Sequence, residues 1–206
     1  MDISIIIPCH NLENYIQPLL SSFQLLNLDG ISAEFIFVLD DCTDKTKEII
    51  EEKMQGLNFI ILEDNFHSCG LGRNLGMTRA QGDYIWFVDG DDWIIYYNVL
   101  YDCITFLREN DMNIIQLDFV SNYFRMSYYS MVWQYLFKRE FIQDILFDNR
   151  QPQEDDRFMQ KVFQKLQTTT IPKYDVPVYF YNYLRPGSNM TQFYAEVLSI
   201  RCRCGQ

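Results

Sequence analysis

Gly82-Asp83-Tyr84-Ile85-Trp86-Phe87-Val88-Asp89-Gly90-Asp91-Asp92-Trp93 is the stretch on which the fold turns. Tyr84–Val88 is apolar on every position, as in a strand covered on both faces in a parallel sheet. It stops abruptly on a glycine among three aspartates. Working upstream, Leu71–Gln81 has helical spacing and ends at Gly82, and Leu57–Leu62, Glu34–Leu39 and Ile3–Pro8 are further short apolar runs. Between them, Asn11 is expected to cap a helix through Tyr15, Leu19, Leu20 and Phe23, with Pro18 weakening its middle. Thr43 is expected to cap a second helix carrying Thr46, Ile49, Ile50 and Met54. Downstream, Val99–Leu107 reads as a helix. Strands alternating with helices predict an α/β domain, helices covering a mostly parallel sheet.

From Met112 the texture changes. Met112–Val120, Tyr123–Tyr129 and Met131–Phe137 are aromatic-rich and strand-like. Lys138–Ile145 and Asp155–Leu166 read as helices, and Val176–Tyr183 as a last strand. The sheet is therefore expected to be mixed. Residues 191–206 form a tail without a packed element, as in a chain cut from a longer one.

Composition narrows the function. With 206 residues, 48% of them hydrophobic and 22% charged, the chain can bury a full core and is not disordered. Its net charge of −11 excludes a general nucleic-acid binder and charge-driven docking on an anionic membrane. Apolar runs are strand-sized, far below the roughly 18 residues of a span. Met1-Asp2-Ile3-Ser4 has no basic start of a signal peptide. Six cysteines without CxxC spacing suggest reduced thiols, and a cytosolic protein is the expectation.

In open α/β sheets, ligands bind beyond the carboxyl ends of the strands. Here those ends carry Cys9-His10-Asn11, Asp40-Asp41 and Asp89-Gly90-Asp91-Asp92. Gly90 allows a tight turn that aims Asp89 and Asp91 into one space. Like charges 4 Å apart repel by about 4 kcal/mol at an effective dielectric near 20, a repulsion that a proton or hard cation relieves. Oxygen ligands select Mg²⁺ or Mn²⁺. A solvated acidic turn is the alternative.

Asp40-Asp41 can accept hydrogen bonds from a ribose or base; read alone, helix capping is the better account. Gly70-Leu71-Gly72-Arg73-Asn74-Leu75-Gly76 fails the GxGxxG spacing because position 75 is Leu. Arg73 near strand ends can face a base or phosphate, or can be a surface Arg. Glu154-Asp155-Asp156 opens an amphipathic helix, where dipole compensation competes with a general base of raised pKa. His10 and His67 lack ligand spacing, and no GxSxG occurs. The aromatic residues at 123–137 read as core, with a sugar-stacking platform as the lesser option.

Together these segments resemble one family. Ser4-Ile5-Ile6-Ile7-Pro8-Cys9-His10-Asn11, Asp40-Asp41, Gly72-Arg73-Asn74-Leu75-Gly76 and the 82–93 stretch look like a family 2 glycosyltransferase of the GT-A fold. Val132-Trp133-Gln134-Tyr135-Leu136-Phe137-Lys138-Arg139, Glu154-Asp155-Asp156-Arg157-Phe158 and Pro177-Val178-Tyr179-Phe180-Tyr181 continue the likeness over residues 3–190. The resemblance implies a single three-layer domain over 1–190, with a nucleotide-binding half (1–111) and an acceptor-side half (112–190). It implies nucleotide contacts from Pro8, His10, Asn11, Asp40, Asp41, Arg73, Asp89 and Gly90. Asp41, with Asp40, would bind uracil or ribose, Arg73 would lie near the base, and Asp89 would meet the ribose. Asp91 would ligate Mn²⁺ or Mg²⁺, and Asp155 would be the base of a single inverting displacement.

The implied partners are a UDP-sugar donor and a hydroxyl-bearing glycan or lipid-linked acceptor in surface polysaccharide synthesis. A peripheral association with the cytoplasmic membrane face is compatible with them. The family commonly has Tyr where His10 stands, and its Asp-Asp loop is one residue longer and carries Gly-Ser. Two rivals are a non-catalytic nucleotide-sugar-binding module and a nucleotidyltransferase, which would not need Asp155.

Overall fold

The computed structural model describes residues 1–122, 131–150, 153–166, 170–183 and 186. The strands are β1 (Ile3–Cys9), β2 (Ala33–Asp40), β3 (Phe59–Asp64), β4 (Tyr84–Phe87), β5 (Trp93–Ile94), β6 (Ile114–Ser121), β7 (Tyr135–Lys138) and β8 (Lys173–Tyr181). The helices are α1 (Gln17–Gln24), α2 (Thr46–Lys53), α3 (Cys69–Arg79), α4 (Val99–Glu109), α5 (Arg139–Ile142) and α6 (Glu154–Lys165). One sheet joins the strands in the order β3-β2-β1-β4-β7-β6-β8-β5. β3, β2, β1 and β4 are mutually parallel. β7 is antiparallel to β4 and β6, β8 runs parallel to β6, and β5 is antiparallel to β8. This is the mixed, mostly parallel α/β sheet that the alternation predicts.

Strand alternation sorts the core into two layers. Ile3, Ile5, Ile7, Phe35, Phe37 and Trp86 pack with α1, α2 and α4 on one face. Ile6, Ile36, Val38, Ile85, Phe87 and Phe137 pack with α6 on the other. Both faces of β1 and β2 are therefore apolar because both are covered. Ser4 and Glu34 interrupt the pattern with a purpose. Ser4 donates to Glu34 (2.6 Å), and the two accept the backbone N–H groups of Gly82 (2.8 Å) and Gln81 (2.7 Å), closing the turn from α3 into β4. A Cβ at Gly82 would lie 2.4 Å from the backbone N of Ser4, so this close approach requires glycine.

Several local expectations are corrected. Asn11 does not cap α1, which starts six residues later at Gln17. Pro18 lies in the first turn, where its missing N–H is no loss, instead of weakening the middle. Thr43 does not cap α2. Asp44 does so from outside, accepting the Thr46 N–H (3.0 Å) and hydroxyl (2.6 Å). Met131–Phe137 divides into a 3-10 turn, Val132–Gln134, followed by β7. The helix expected over Lys138–Ile145 shortens to α5. The expectations for Tyr123–Tyr129 and for the 191–206 tail lie outside the described residues.

Candidate active site

The parallel topology brings the ends of β1, β2 and β4 to one edge, and side chains lock the loops there. His10 Nδ1 sits 2.6 Å from the Asp40 carbonyl oxygen. Asn11 Oδ1 accepts the Thr43 N–H (2.9 Å), and Leu12 N–H donates to Thr46 Oγ1 (2.7 Å). Pro8 is buried in β1 beneath this ledge. A Cβ on Gly90 would lie 2.4 Å from Leu12 Cδ1 and 3.4 Å from the Pro8 carbonyl oxygen, so the acidic turn presses directly onto the β1 loop. Thus Pro8, His10, Asn11, Asp40, Asp41, Asp89 and Gly90 gather at one end of the sheet.

Asn11, Asp41 and His67 adopt left-handed φ angles of 49°, 49° and 51°. Asn, Asp and His are the non-glycine residues most often found there. Their placement at three adjacent loop corners shows how tightly the chain turns around this edge. Asp40 and Asp41 divide the work. Asp40 is buried, and its carboxylate accepts the His67 (2.8 Å) and Ser68 (2.7 Å) N–H groups, holding the entry to α3. Asp41 is exposed, its Oδ2 3.9 Å from His67 Nε2. Asp41 is therefore the carboxylate of the pair that faces solvent, and His67 stands beside it.

Arg73 is the least expected feature. It is 3% exposed, so it is not a surface arginine. Its Nη1 donates to Asp155 Oδ1 and its Nη2 to Asp89 Oδ1, each at 2.7 Å, with Glu154 Oε1 4.0 Å from Nη1. Phe147 lies against the guanidinium, 5.4 Å from its carbon. Burial alone would favour loss of the proton, but Asp155 and Asp89 outweigh it and raise the pKa above its ordinary value. Sequence separation hides this bridge: Arg73 lies in α3, Asp89 after β4 and Asp155 in α6.

Asp155 also accepts the Val132 N–H at Oδ2 (3.2 Å). Burial, opposed by Arg73 and assisted by Asp89 and Glu154, pushes its pKa up to about 7. Such a carboxyl is poised to exchange a proton near neutrality. The residue before α6, Gln153, is left-handed (φ 83°), so the helix that carries Asp155 is entered through a sharp corner.

Asp92 extends the acidic turn inward. It is 1% exposed, and its carboxylate accepts the Tyr179 hydroxyl and the Asn182 N–H, both at 2.7 Å. Tyr179 lies in a segment that carries the family resemblance, but neither it nor Asn182 is expected in the site from the sequence; the pairing of β8 with β5 and β6 brings them here. Among the described residues, burial raises the pKa values of Cys9, Cys42 and Cys69, the last to about 12, which disfavours their thiolate forms. Trp133 and Tyr135 are buried, which places that part of the aromatic cluster in the core.

Among the described residues, no three His, Cys, Asp or Glu side chains are grouped to cage a metal. Asp91 is half-buried in the acidic turn, and a carboxylate oxygen is the donor type that ions such as Mg²⁺ take. Among the described residues, no helix is long and apolar enough to cross a membrane.

The sequence and the fold are matched by known proteins. The chain is 37% identical over 119 residues to the poly(ribitol-phosphate) β-N-acetylglucosaminyltransferase TarS of Staphylococcus aureus, 56% of this chain and 20% of that protein. It is 40% identical over 96 residues to a glycosyltransferase of Haemophilus influenzae, covering 45% of this chain and 37% of the relative. It therefore spans well under half the length of these relatives. Its fold superposes on S. aureus TarS 1-349 in complex with UDP-GlcNAc with a TM-score of 0.82, at 24% identity over 93% of this chain and 61% of the other. It also superposes on a mannosyltransferase from Pyrobaculum calidifontis in complex with GDP-Man and Mn²⁺ at 0.72 and 15% identity, over 99% of this chain and 65% of that one. These matches show the GT-A fold. Residues 4–167 match the model of glycosyl transferase family 2, and the chain belongs to that family.

Proposed function

We propose that this domain transfers a sugar from a nucleotide sugar, with UDP as the expected nucleotide, to a hydroxyl acceptor with inversion at the anomeric carbon. One observation carries the proposal: the Asp89 and Asp155 carboxylates, 66 positions apart, share the single buried guanidinium of Arg73. The acidic turn and the acid of raised pKa therefore meet at one guanidinium. A module that only bound nucleotide would not need the second carboxylate.

In this mechanism Asp41 and Asp89 engage the uridine, and His10 and Asn11 border it. Asp91 would hold Mn²⁺ or Mg²⁺ against the diphosphate, where the ion stabilises charge on the leaving group. The acceptor oxygen attacks the anomeric carbon as the bond to the phosphate oxygen breaks. Asp155 takes the hydroxyl proton, and the nucleoside diphosphate leaves with the bond electrons. TarS in complex with UDP-GlcNAc and the mannosyltransferase with Mn²⁺ support the choice of donor and ion by analogy. A glycan or lipid-linked alcohol is the expected acceptor. With a net charge of −11, contact with a membrane face would run through that acceptor, not through surface charge.

Two measurements test this. UDP with Mn²⁺ should raise the melting temperature of the wild type by about 5–10 °C at a hundredfold excess over Kd. In Asp91→Ala the Mn²⁺-dependent part of that rise should vanish; an unchanged rise would remove Asp91 from the metal role.

The pH profile is the second test. Transfer needs ionised Asp155, so the rate should climb about tenfold per pH unit and level off near pH 7. Stability should move the opposite way. The folded state holds this proton more tightly than the unfolded chain, so the contribution is complete below about pH 4 and is lost as pH rises through about 7. A flat rate between pH 5 and 7 would exclude Asp155 as the proton acceptor.

A further inference from the structure

We infer that Tyr179 and Asp92 are positioning residues that mount the acidic turn and the base on one frame, an inference that rests on the function proposed above. The Tyr179 hydroxyl accepts the Asp89 N–H (3.1 Å) and donates to Asp92 Oδ2 (2.7 Å). Asp92 Oδ1 accepts the Asn182 N–H (2.7 Å), and Asn182 Nδ2 donates to the Asp91 carbonyl (3.2 Å). Next in the chain, Trp93 stacks on Phe180 with ring centroids 4.1 Å apart. Asp89, Asp91, Asp92 and Trp93 are thus each tied to β8 or the residue following it.

The same tyrosine reaches toward the base. Its ring stacks on Trp133 at 4.6 Å and 9°. Trp133 is fixed to β4 through its carbonyl, which accepts the Trp86 indole N–H (2.8 Å). The neighbouring Val132 donates its N–H to Asp155. One rigid, buried aromatic therefore lies between the turn that would grip the leaving group and the turn that holds the proton acceptor. Tyr179 is 0% and Asp92 1% exposed, and among the described residues Asp92 has no cationic partner. A carboxylate buried without a cation is costly to maintain. Here its hydrogen bonds all go to the elements that set the turn.

The test uses UDP with Mn²⁺ as the calorimetric probe, and amide exchange at Asp89 without ligand. Tyr179→Phe keeps the ring stack and removes the hydroxyl; Asp92→Asn keeps the shape and replaces one of the two acceptor oxygens with a donor. Each should weaken UDP binding roughly tenfold and speed exchange of the Asp89 amide. Tyr174→Phe is the control. It deletes a like hydroxyl–carboxylate bond to Asp102 (2.6 Å), away from the site, and should lower the melting temperature while leaving UDP binding unchanged.

Near-wild-type UDP affinity with unchanged Asp89 exchange in both site variants would overturn the inference. If Tyr179→Phe does not fold, Asp92→Asn decides by the same two readouts. If the wild type itself fails to bind UDP, the proposed function falls. The exchange rates then decide the positioning role alone: faster exchange supports it, and unchanged exchange overturns it.

Discussion

Asp155→Asn is expected to lower sugar transfer by about 10²–10⁴-fold, the usual contribution of a positioned general base, while UDP affinity stays close to the wild type. The amide has nearly the shape of the carboxylate, and its one oxygen can still accept either the Val132 N–H or the Arg73 N–H. It cannot take a proton from an alcohol. In the proposed mechanism donor binding depends on Asp41, Asp89 and Asp91, and Asp89 bonds the other terminal nitrogen of the guanidinium, so the two losses should separate. UDP release from a UDP-sugar, with calorimetry of UDP alone, measures both. Transfer at wild-type rate in this variant would place the base elsewhere.

Arg73→Met should produce the largest loss of stability. The side chain is 4% exposed, and removing it leaves Asp89 and Asp155 facing each other with Glu154 nearby and no cation. Breaking a buried ion pair by removing one partner costs about 3–5 kcal/mol. For a domain of this size that corresponds to a fall in melting temperature of about 6–20 °C.

The deficit should depend on pH. Without the guanidinium, which lowers the Asp155 pKa, the carboxyl keeps its proton to higher pH, and that proton replaces the missing charge. The variant should therefore lose more relative to wild type at pH 8 than at pH 5.5. Arg73→Lys should recover only part of the loss, because a point charge cannot fork between two carboxylates. A melting temperature within about 2 °C of the wild type at both pH values would mean that the bridge contributes little in solution.

Much of this protein was legible before any coordinates. The double-sided apolar runs at Ile3–Pro8, Glu34–Leu39 and Tyr84–Val88 identify buried parallel strands, because few other environments hide both faces of a chain. The polar residues that end those strands mark the ligand edge by topology alone. Helix starts were less legible. Capping depends on where the backbone turns: Asn11 and Thr43 bond each other across two loops instead of capping the helices that follow them, and Asp44 caps α2. Proline gave a misleading signal at position 18, since its effect reverses between the first turn and the interior.

The residue types and their order determined the fold class, the sheet edge where the polar loop residues gather and the presence of two acidic clusters, because these follow from periodicity and from charges met along the chain. Which acid does what was decided only by tertiary structure. Asp40 turns inward to hold backbone amides while Asp41 faces out, Asp92 is buried on Tyr179, and Asp155 meets Asp89 through Arg73. The physical reason is that a carboxylate's role depends on its burial, its donors and the charges beside it. Those neighbours come from strands and helices dozens of residues away.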